Sequence, residues 1–254
     1  MTGEDRNIRF DNLKGVILAG GLGLRLDPLT RVTNKHLLPV WNKPMIYYPL
    51  MSLINIGIKD IMIVTGGNNA GDFLKLLGNG KEFGLKHLHY AYQKGERGIA
   101  DALSYAEDFC KDSKVIVILG DNIVEKSIRP YVEHFLSQPK GARILIKKVK
   151  NPQRFGVVQL RNKKIISIEE KPKKPKSNYI VTGIYMYDDE VFDIIKTLKP
   201  SWRNELEITD VNNAYLRKGL LYYDILDGYW TDCGTFESLL KANNLVANNY
   251  YKKR

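Results

Sequence analysis

A mostly apolar run from Leu13 to Ala19 passes without interruption into Gly20-Gly21-Leu22-Gly23-Leu24-Arg25-Leu26, and no other stretch constrains the fold as much. Such a run fits a buried strand. The glycines that follow have no Cβ to obstruct approach and tolerate positive φ, so backbone N–H groups there can close on a phosphate. Arg25 ends the turn, and Lys35 follows in Asn34-Lys35-His36-Leu37-Leu38-Pro39. Two cations beside an anion-cradling loop point to nucleotide chemistry.

Two familiar phosphate loops are excluded by spacing. No Gly-x4-Gly-Lys-Ser/Thr run occurs, and a G-x-G-x-x-G reading of Gly21-Leu22-Gly23 fails because Leu24, Arg25 and Leu26 follow. The strand Asp60 to Thr65 ends in Gly66-Gly67-Asn68-Asn69 and not in the acid that would hold a dinucleotide's ribose.

The first half alternates strand and helix signals. Helical periodicity is predicted over Pro44 to Ile56, Asp72 to Leu77 and Ile99 to Phe109; strands over Asp60 to Thr65, His87 to Tyr92 and Lys114 to Leu119. That alternation predicts an α/β fold, a mostly parallel sheet flanked by helices, with ligands bound beyond the carboxyl ends of the strands. The glycine loop, Gln93 and Gly120-Asp121-Asn122 all follow strand ends and should converge. The second half carries short β-branched or aromatic runs at Ala142 to Lys148, Phe155 to Leu160, Ile165 to Glu169 and Tyr179 to Tyr187, which predict a mixed or antiparallel extension. Helices are expected again over Glu207 to Arg217 and Phe236 to Asn249. No linker interrupts the chain, so a flexible lead-in over residues 1–12 and one domain over 13–254 are expected, with halves at 13–125 and 126–254.

Asp121 stands at the tip of an apolar strand, where a carboxylate can hold Mg²⁺, a hard cation that prefers oxygen ligands. Asp232, in Trp230-Thr231-Asp232-Cys233-Gly234-Thr235, is the second candidate. For Asp121 the plainer alternative is a turn aspartate bonding its own backbone, and neither acid points to a metal alone. Glu169-Glu170-Lys171-Pro172 offers acceptors beside a cation, which suits a sugar phosphate with hydroxyls to hold and charge to neutralise; a solvated turn is the plainer alternative. Gly183, after Thr182, and Gly156 lie within strand patterns, where glycine often marks close approach of a ligand. His87 and His89 share a strand face but have no Cys or acid cluster beside them. Cys233 has no histidine partner, so a small buried residue is expected there.

At 254 residues the chain can bury a full core. No segment reaches the roughly 18 apolar residues of a membrane span, and the polar start is neither signal peptide nor anchor. Two cysteines far apart in sequence suggest reduced thiols and a cytoplasmic setting. The net charge of +11 comes from short clusters such as Lys171, Lys173, Lys174 and Lys176. These form no aromatic-interleaved stripe, so a basic face attracting small anions is expected, and no nucleic-acid partner.

Taken together, these motifs resemble the sugar-1-phosphate nucleotidylyltransferases, most closely short-form glucose-1-phosphate thymidylyltransferases. The likeness runs from Lys14 to about Asn248 and includes Lys43-Pro44-Met45-Ile46-Tyr47-Tyr48-Pro49-Leu50, Leu119-Gly120-Asp121-Asn122, Glu205-Leu206-Glu207-Ile208-Thr209-Asp210 and Asp232 with Gly234-Thr235. It implies a Rossmann-like sheet with a sugar-binding extension, and Mg²⁺-dependent transfer of a nucleotidyl group to a sugar 1-phosphate. By the same likeness Arg25 and Lys35 act on the reacting phosphates. Leu18, Gly20, Gly21, Gly23, Gln93, Gly98 and Asp121 meet the nucleotide, Gln93 and Gly98 at its base. Asn122, Gly156, Glu170, Lys171, Thr182, Gly183 and Trp230 border the sugar phosphate, and Asp121 and Asp232 hold the metal.

This chain departs from the pattern at His36, where long members carry glutamine and shorter ones histidine. It departs again at Arg97 and Asp101 around Gly98, and at Asn204, where glycine usually precedes Glu205. It also lacks the C-terminal helices with which long members build a regulatory site, which leaves the usual tetramer open; a homo-oligomer is compatible with the sequence. The implied substrates are dTTP and glucose 1-phosphate. UTP with glucose or N-acetylglucosamine 1-phosphate is the alternative, because thymine and uracil differ by one methyl. A non-catalytic nucleotide or sugar sensor is the reading from another class, and the presence of Lys35, Asp121 and Asp232 argues against it.

Overall fold

The computed structural model describes residues 12–67 and 69–252; the lead-in expected over residues 1–12 lies, except for Asn12, outside the described residues. In chain order, β1 (Leu13–Ala19) is followed by a ribbon of β2 (Pro39–Val40) and β3 (Lys43–Pro44), then α1 (Tyr47–Ile54), β4 (Asp60–Gly66) and α2 (Ala70–Leu77). β5 (His87–Gln93), α3 (Ile99–Ser104), α4 (Glu107–Cys110) and β6 (Lys114–Leu119) continue the alternation. Next come β7 (Asn122–Val124), α5 (Arg129–Ser137), β8 (Ala142–Lys148), β9 (Gly156–Arg161), β10 (Lys164–Glu170) and β11 (Tyr179–Tyr187). The chain closes with α6 (Glu190–Thr197), α7 (Ile208–Arg217), β12 (Leu221–Ile225), β13 (Trp230–Asp232) and α8 (Phe236–Lys252).

Among the described residues, nine strands form the main sheet. β6, β1, β4 and β5 lie side by side and parallel, as the alternation predicts. Their residues alternate between two cores. Val16, Val64, Val115 and Val117 face α3, α6 and α7, whereas Ile17, Ile61, Ile63, Ile116 and Ile118 face α1, α2 and α5. Burial on both faces is why these strands read as near-continuous apolar runs.

The antiparallel extension is built on β11. β8 pairs with it along one edge and carries β12 outside it. Along the other edge β9 takes Tyr179 and Ile180, and β6 takes Ile184 to Tyr187. Val181 to Gly183 therefore have no ladder partner on that edge, and the gap opens at the carboxyl end of β6. A hairpin of β9 and β10 walls the gap.

Two expected helices differ. α1 begins at Tyr47 rather than Pro44, because Lys43 and Pro44 are held extended as β3 against β2. The helix expected over Ile99 to Phe109 breaks at Ala106, and the turn there lets Phe109 pack against His89 at 5.0 Å.

Candidate active site

The glycine loop after β1, Gln93 at the end of β5 and Asp121 after β6 border one cleft of about 680 Å³. Leu18, Gly20, Gly21, Gly23, Arg25 and Lys35 line it from the loop side. Gly98, Asn122, Gly156, Glu170, Lys171, Gly183, Trp230 and Asp232 line the remainder. Convergence at strand carboxyl ends is the physics of parallel sheets, since the loops there share one rim.

Lys35 is set by a helical turn whose Asn34 side chain accepts the His36 N–H at 3.0 Å. Its ammonium donates to Asp121 Oδ2 at 2.7 Å, with both side chains nearly buried at 14% and 11% exposure. Burial by itself would lift the Asp121 carboxyl. The adjacent Lys35 charge, with hydrogen bonds from Lys35 and Asn122, outweighs that and holds it well below the usual carboxylate range.

Asp232 reaches the same space through a short ribbon in which β13 runs antiparallel to β7, Asp232 facing Asn122. Arg154 donates to its Oδ2 at 3.1 Å. Its carboxyl is pushed up by burial and by the neighbouring Asp121, against the pull of Arg154, Arg25 and Lys35. Asp121 and Asp232 are thus two carboxylates near enough to repel, a pair of oxygen donors of the kind a hard divalent cation takes. Mg²⁺ binds through one or two carboxylates and fills its shell with substrate phosphates and water. The donor set fits the metal the resemblance implies.

Asn122 joins the parts. Its Oδ1 accepts the Gly183 N–H at 2.9 Å and Trp230 Nε1–H at 2.7 Å, while its Nδ2 donates to Asp121 Oδ1 at 2.9 Å. One buried amide thus fills the gap in β11, seats the tryptophan and steadies the carboxylate. A Cβ on Gly183 would meet Asn122 Nδ2 at 2.5 Å, so glycine is required for this approach.

The far wall holds Glu170, which accepts from Thr209 Oγ1 at 2.5 Å and lies 3.9 Å from Lys171 Nζ and 3.7 Å from Arg203 Nη1. Burial pushes the Glu170 carboxyl up, while burial and then Arg203 push the Lys171 ammonium down. The wall can therefore exchange hydrogen bonds with hydroxyls and offer a cation to a phosphate.

Thr182 corrects the sequence reading. Its side chain is fully buried and its hydroxyl donates to the Leu145 carbonyl of β8 at 2.8 Å, so it turns away from the cleft that Gly183 lines. His36 is buried against Gly120, bonded at Nδ1 to Asn34 Oδ1 at 2.7 Å, and burial with the Lys35 charge lowers its pKa to about 3. Asn204 adopts φ +59°, a left-handed conformation that asparagine tolerates next best to glycine, which accounts for the exchange at that position. Cys233 is buried, as expected, and burial raises its thiol. His87 pairs with Asp60 at 2.6 Å on the surface, away from the cleft.

Arg154, Arg203, Thr209 and Glu96 also line the cleft, and Glu96 accepts the Leu22 N–H at 2.8 Å, closing over the glycine loop. Nothing in the sequence marks Arg154 among so many basic residues. Thr209 and Glu205 lie in a motif already quoted for the family likeness, to which the sequence reading gave no place or role in the site.

The nucleotidyl transferase family model matches residues 14–249. The chain is 46% identical over 238 residues to a glucose-1-phosphate thymidylyltransferase of Neisseria meningitidis, covering 92% of this chain and 82% of that one. It is 45% identical over 242 residues to the enzyme of the same name from Mycolicibacterium smegmatis, with the same coverage. Among solved structures, a Bacillus anthracis protein described as a glucose-1-phosphate thymidylyltransferase in complex with sucrose superposes with a TM-score of 0.88 at 55% identity, covering 92% of this chain and 94% of that one. A UDP-glucose pyrophosphorylase complexed with UDP-glucose gives a TM-score of 0.81 at 25% identity, with coverage of 95% and 99%. With a family model spanning nearly all of it and relatives this similar, the chain belongs to the nucleotidyl transferase family and is an enzyme of that type.

Proposed function

We propose that the protein transfers the thymidylyl group of dTTP to glucose 1-phosphate, giving dTDP-glucose and pyrophosphate. What supports the reading is a single cleft bordered by an anion-cradling loop, a buried lysine–carboxylate pair and a second wall of acceptors and cations. Relatives at 45–46% identity bear the name of that reaction. The described residues include no helix long and apolar enough to cross a membrane. Cys110 and Cys233 are free and buried, which suits the reducing cytoplasm we propose as the setting.

The sugar phosphate is already an oxyanion, so no general base is needed. One of its oxygens attacks the α-phosphorus in line while the bond to the departing pyrophosphate oxygen breaks. Arg25 and Lys35 neutralise charge that gathers on the nucleotide phosphates, and the loop N–H groups hold them. Lys171 steadies the attacking phosphate, with Glu170 and Thr209 placed for sugar hydroxyls. A divalent metal held by Asp121 and Asp232 would supply further charge neutralisation at the phosphates. Alignment of two anions that repel in water is the main service of the protein. We take residues 13–254 as one catalytic domain, its nucleotide side over 13–125 and its sugar side over 126–254.

UTP with glucose or N-acetylglucosamine 1-phosphate is the second reading, favoured by the likeness to a UDP-glucose pyrophosphorylase. One methyl separates the two bases, and a pocket discriminates a methyl by only about 1–3 kcal/mol. The test is pyrophosphate release across four nucleoside triphosphates and several sugar 1-phosphates. Highest kcat/KM for dTTP with glucose 1-phosphate supports the proposal; a preference for UTP transfers it to the second reading, and no turnover with any pair removes both.

A further inference from the structure

Gln93 is a buried amide, 4% exposed, at the end of β5, which lies across β1 from the β6 strand that leads into Asp121. Gly98, Ile99 and Ala102 line the cleft with Gln93, together with Glu96; none of these is a cation, so this part suits a base rather than phosphates. The amide is not free to turn. Nε2 donates to the Gly98 carbonyl at 3.1 Å and to Asp101 Oδ2 at 2.8 Å. Both partners only accept, so the flipped amide would set its oxygen against two acceptors and lose both bonds. Gln93 Oε1 is left without a protein donor among the described residues, and it faces the cleft. A Cβ on Gly20 would stand 2.7 Å from that oxygen, so the glycine leaves it open to a ligand.

Asp101 does not line the cleft. It is 6% exposed and sits behind Gln93, its other oxygen 3.5 Å from Arg97 Nε. Asp101 and Arg97 are the two positions at which this chain departs from the family pattern around Gly98. We propose that Asp101 is a positioning residue for base selectivity. By fixing the Gln93 amide it presents an obligate acceptor to the nucleotide, which favours a base with an N–H on its pairing edge, as thymine and uracil have at N3. Cytosine, whose N3 is itself an acceptor, is rejected because two lone pairs would meet in a dry site. The idea rests on the cleft being a pyrimidine nucleoside triphosphate site, as proposed above.

The test compares kcat/KM for dTTP, UTP and dCTP, each with glucose 1-phosphate, in the full chain and in Asp101→Asn and Asp101→Ala. Asparagine can donate to Gln93 Oε1 and so admits the flipped amide; alanine removes one of the two acceptors that oppose it. In both variants the preference for dTTP over dCTP should fall by about tenfold or more, the scale of one lost base-edge contact. The dTTP to UTP ratio should stay put, because both bases present the same N–H. General damage to the fold would lower all three rates together and leave both ratios alone. A dTTP to dCTP ratio that stays within about twofold of the parent in both variants overturns the role of Asp101 while leaving the proposed reaction standing. A parent enzyme that uses dCTP as well as dTTP overturns it too. Failure of the parent to use either dTTP or UTP overturns the proposed reaction and this inference with it.

Discussion

Lys35 and Asp121, 86 positions apart in the chain, meet through a nearly buried hydrogen bond of 2.7 Å between ammonium and carboxylate. The lysine holds the carboxyl ionised against the burial that would otherwise protonate it. Replacing Lys35 with alanine should lower kcat by about 10²–10³, by analogy with the loss of one preorganised donor at a reacting centre. Steady-state pyrophosphate release reads this directly, and a variant with parental turnover would remove Lys35 from the chemistry.

Asp232 faces the cleft with a raised carboxyl, beside Asp121. Asp232→Asn removes one of two anionic oxygen donors. The Mg²⁺ concentration for half-maximal activity should rise by at least the roughly 10-fold cost of losing even an outer-sphere partner. Titration of activity against magnesium after chelator treatment checks it, and an unmoved midpoint would exclude Asp232 as a ligand.

Asn122→Ala deletes the acceptor shared by the Gly183 N–H and Trp230 Nε1–H. A buried donor left without a partner costs about 1–3 kcal/mol, so a loss of roughly 2–4 kcal/mol is expected for the pair, somewhat less than the simple sum because water can enter the gap. Urea denaturation monitored by tryptophan fluorescence measures it. Asn122→Asp keeps the acceptor and should fold better, yet it sets a second carboxylate against Asp121 and should lose activity.

His36 gives the protein a pH dependence with a definite sign. Unfolded, the imidazole takes a proton below its ordinary value near 6.5; folded, burial holds that off until about pH 3. Between those values the unfolded state binds the extra proton. His36 therefore contributes its full stability above pH 6.5, and the contribution is lost as pH falls toward 3, by up to about 1.4 kcal/mol per pH unit. His36→Gln, which cannot titrate, should show a shallower fall in urea midpoint over that window. Parallel curves for parent and variant would contradict the assignment.

The parallel core was legible because its strands are buried on two faces and flanked by glycine or helix signals, as in Lys114 to Leu119 running into Gly120-Asp121. The β11 side was legible as a change of character, but its split edge was not, since Val181-Thr182-Gly183 gives no sign of which strands flank it. The same limit explains Thr182: within a strand neighbouring side chains point to opposite faces, and only the register against β8 decides which one meets the ligand. α5 and α6 were not anticipated. α5 buries only Val132 and Phe135, too few positions to reveal a period, and α6 packs Val191, Phe192, Ile194 and Ile195 so tightly that its apolar run looks like a strand. Arg154 and Arg203 owe their place in the site to distant chain segments, which local pattern cannot report.

The ribbon of β7 and β13 has a consequence for how the enzyme is made. Asp232 lies opposite Asn122, and Cys233 donates its N–H to the Asp121 carbonyl at 3.0 Å. A nascent polypeptide can build the phosphate loop and the parallel strands while the ribosome is still extending it, but half of the proposed metal site is encoded near its far end. Chains released prematurely, before residue 230, would lack that final carboxylate together with the Trp230 indole that Asn122 holds and the Cys233 and Ala242 packing around Leu26 and Ile123, so completion of the proposed site waits on the last stretch of synthesis.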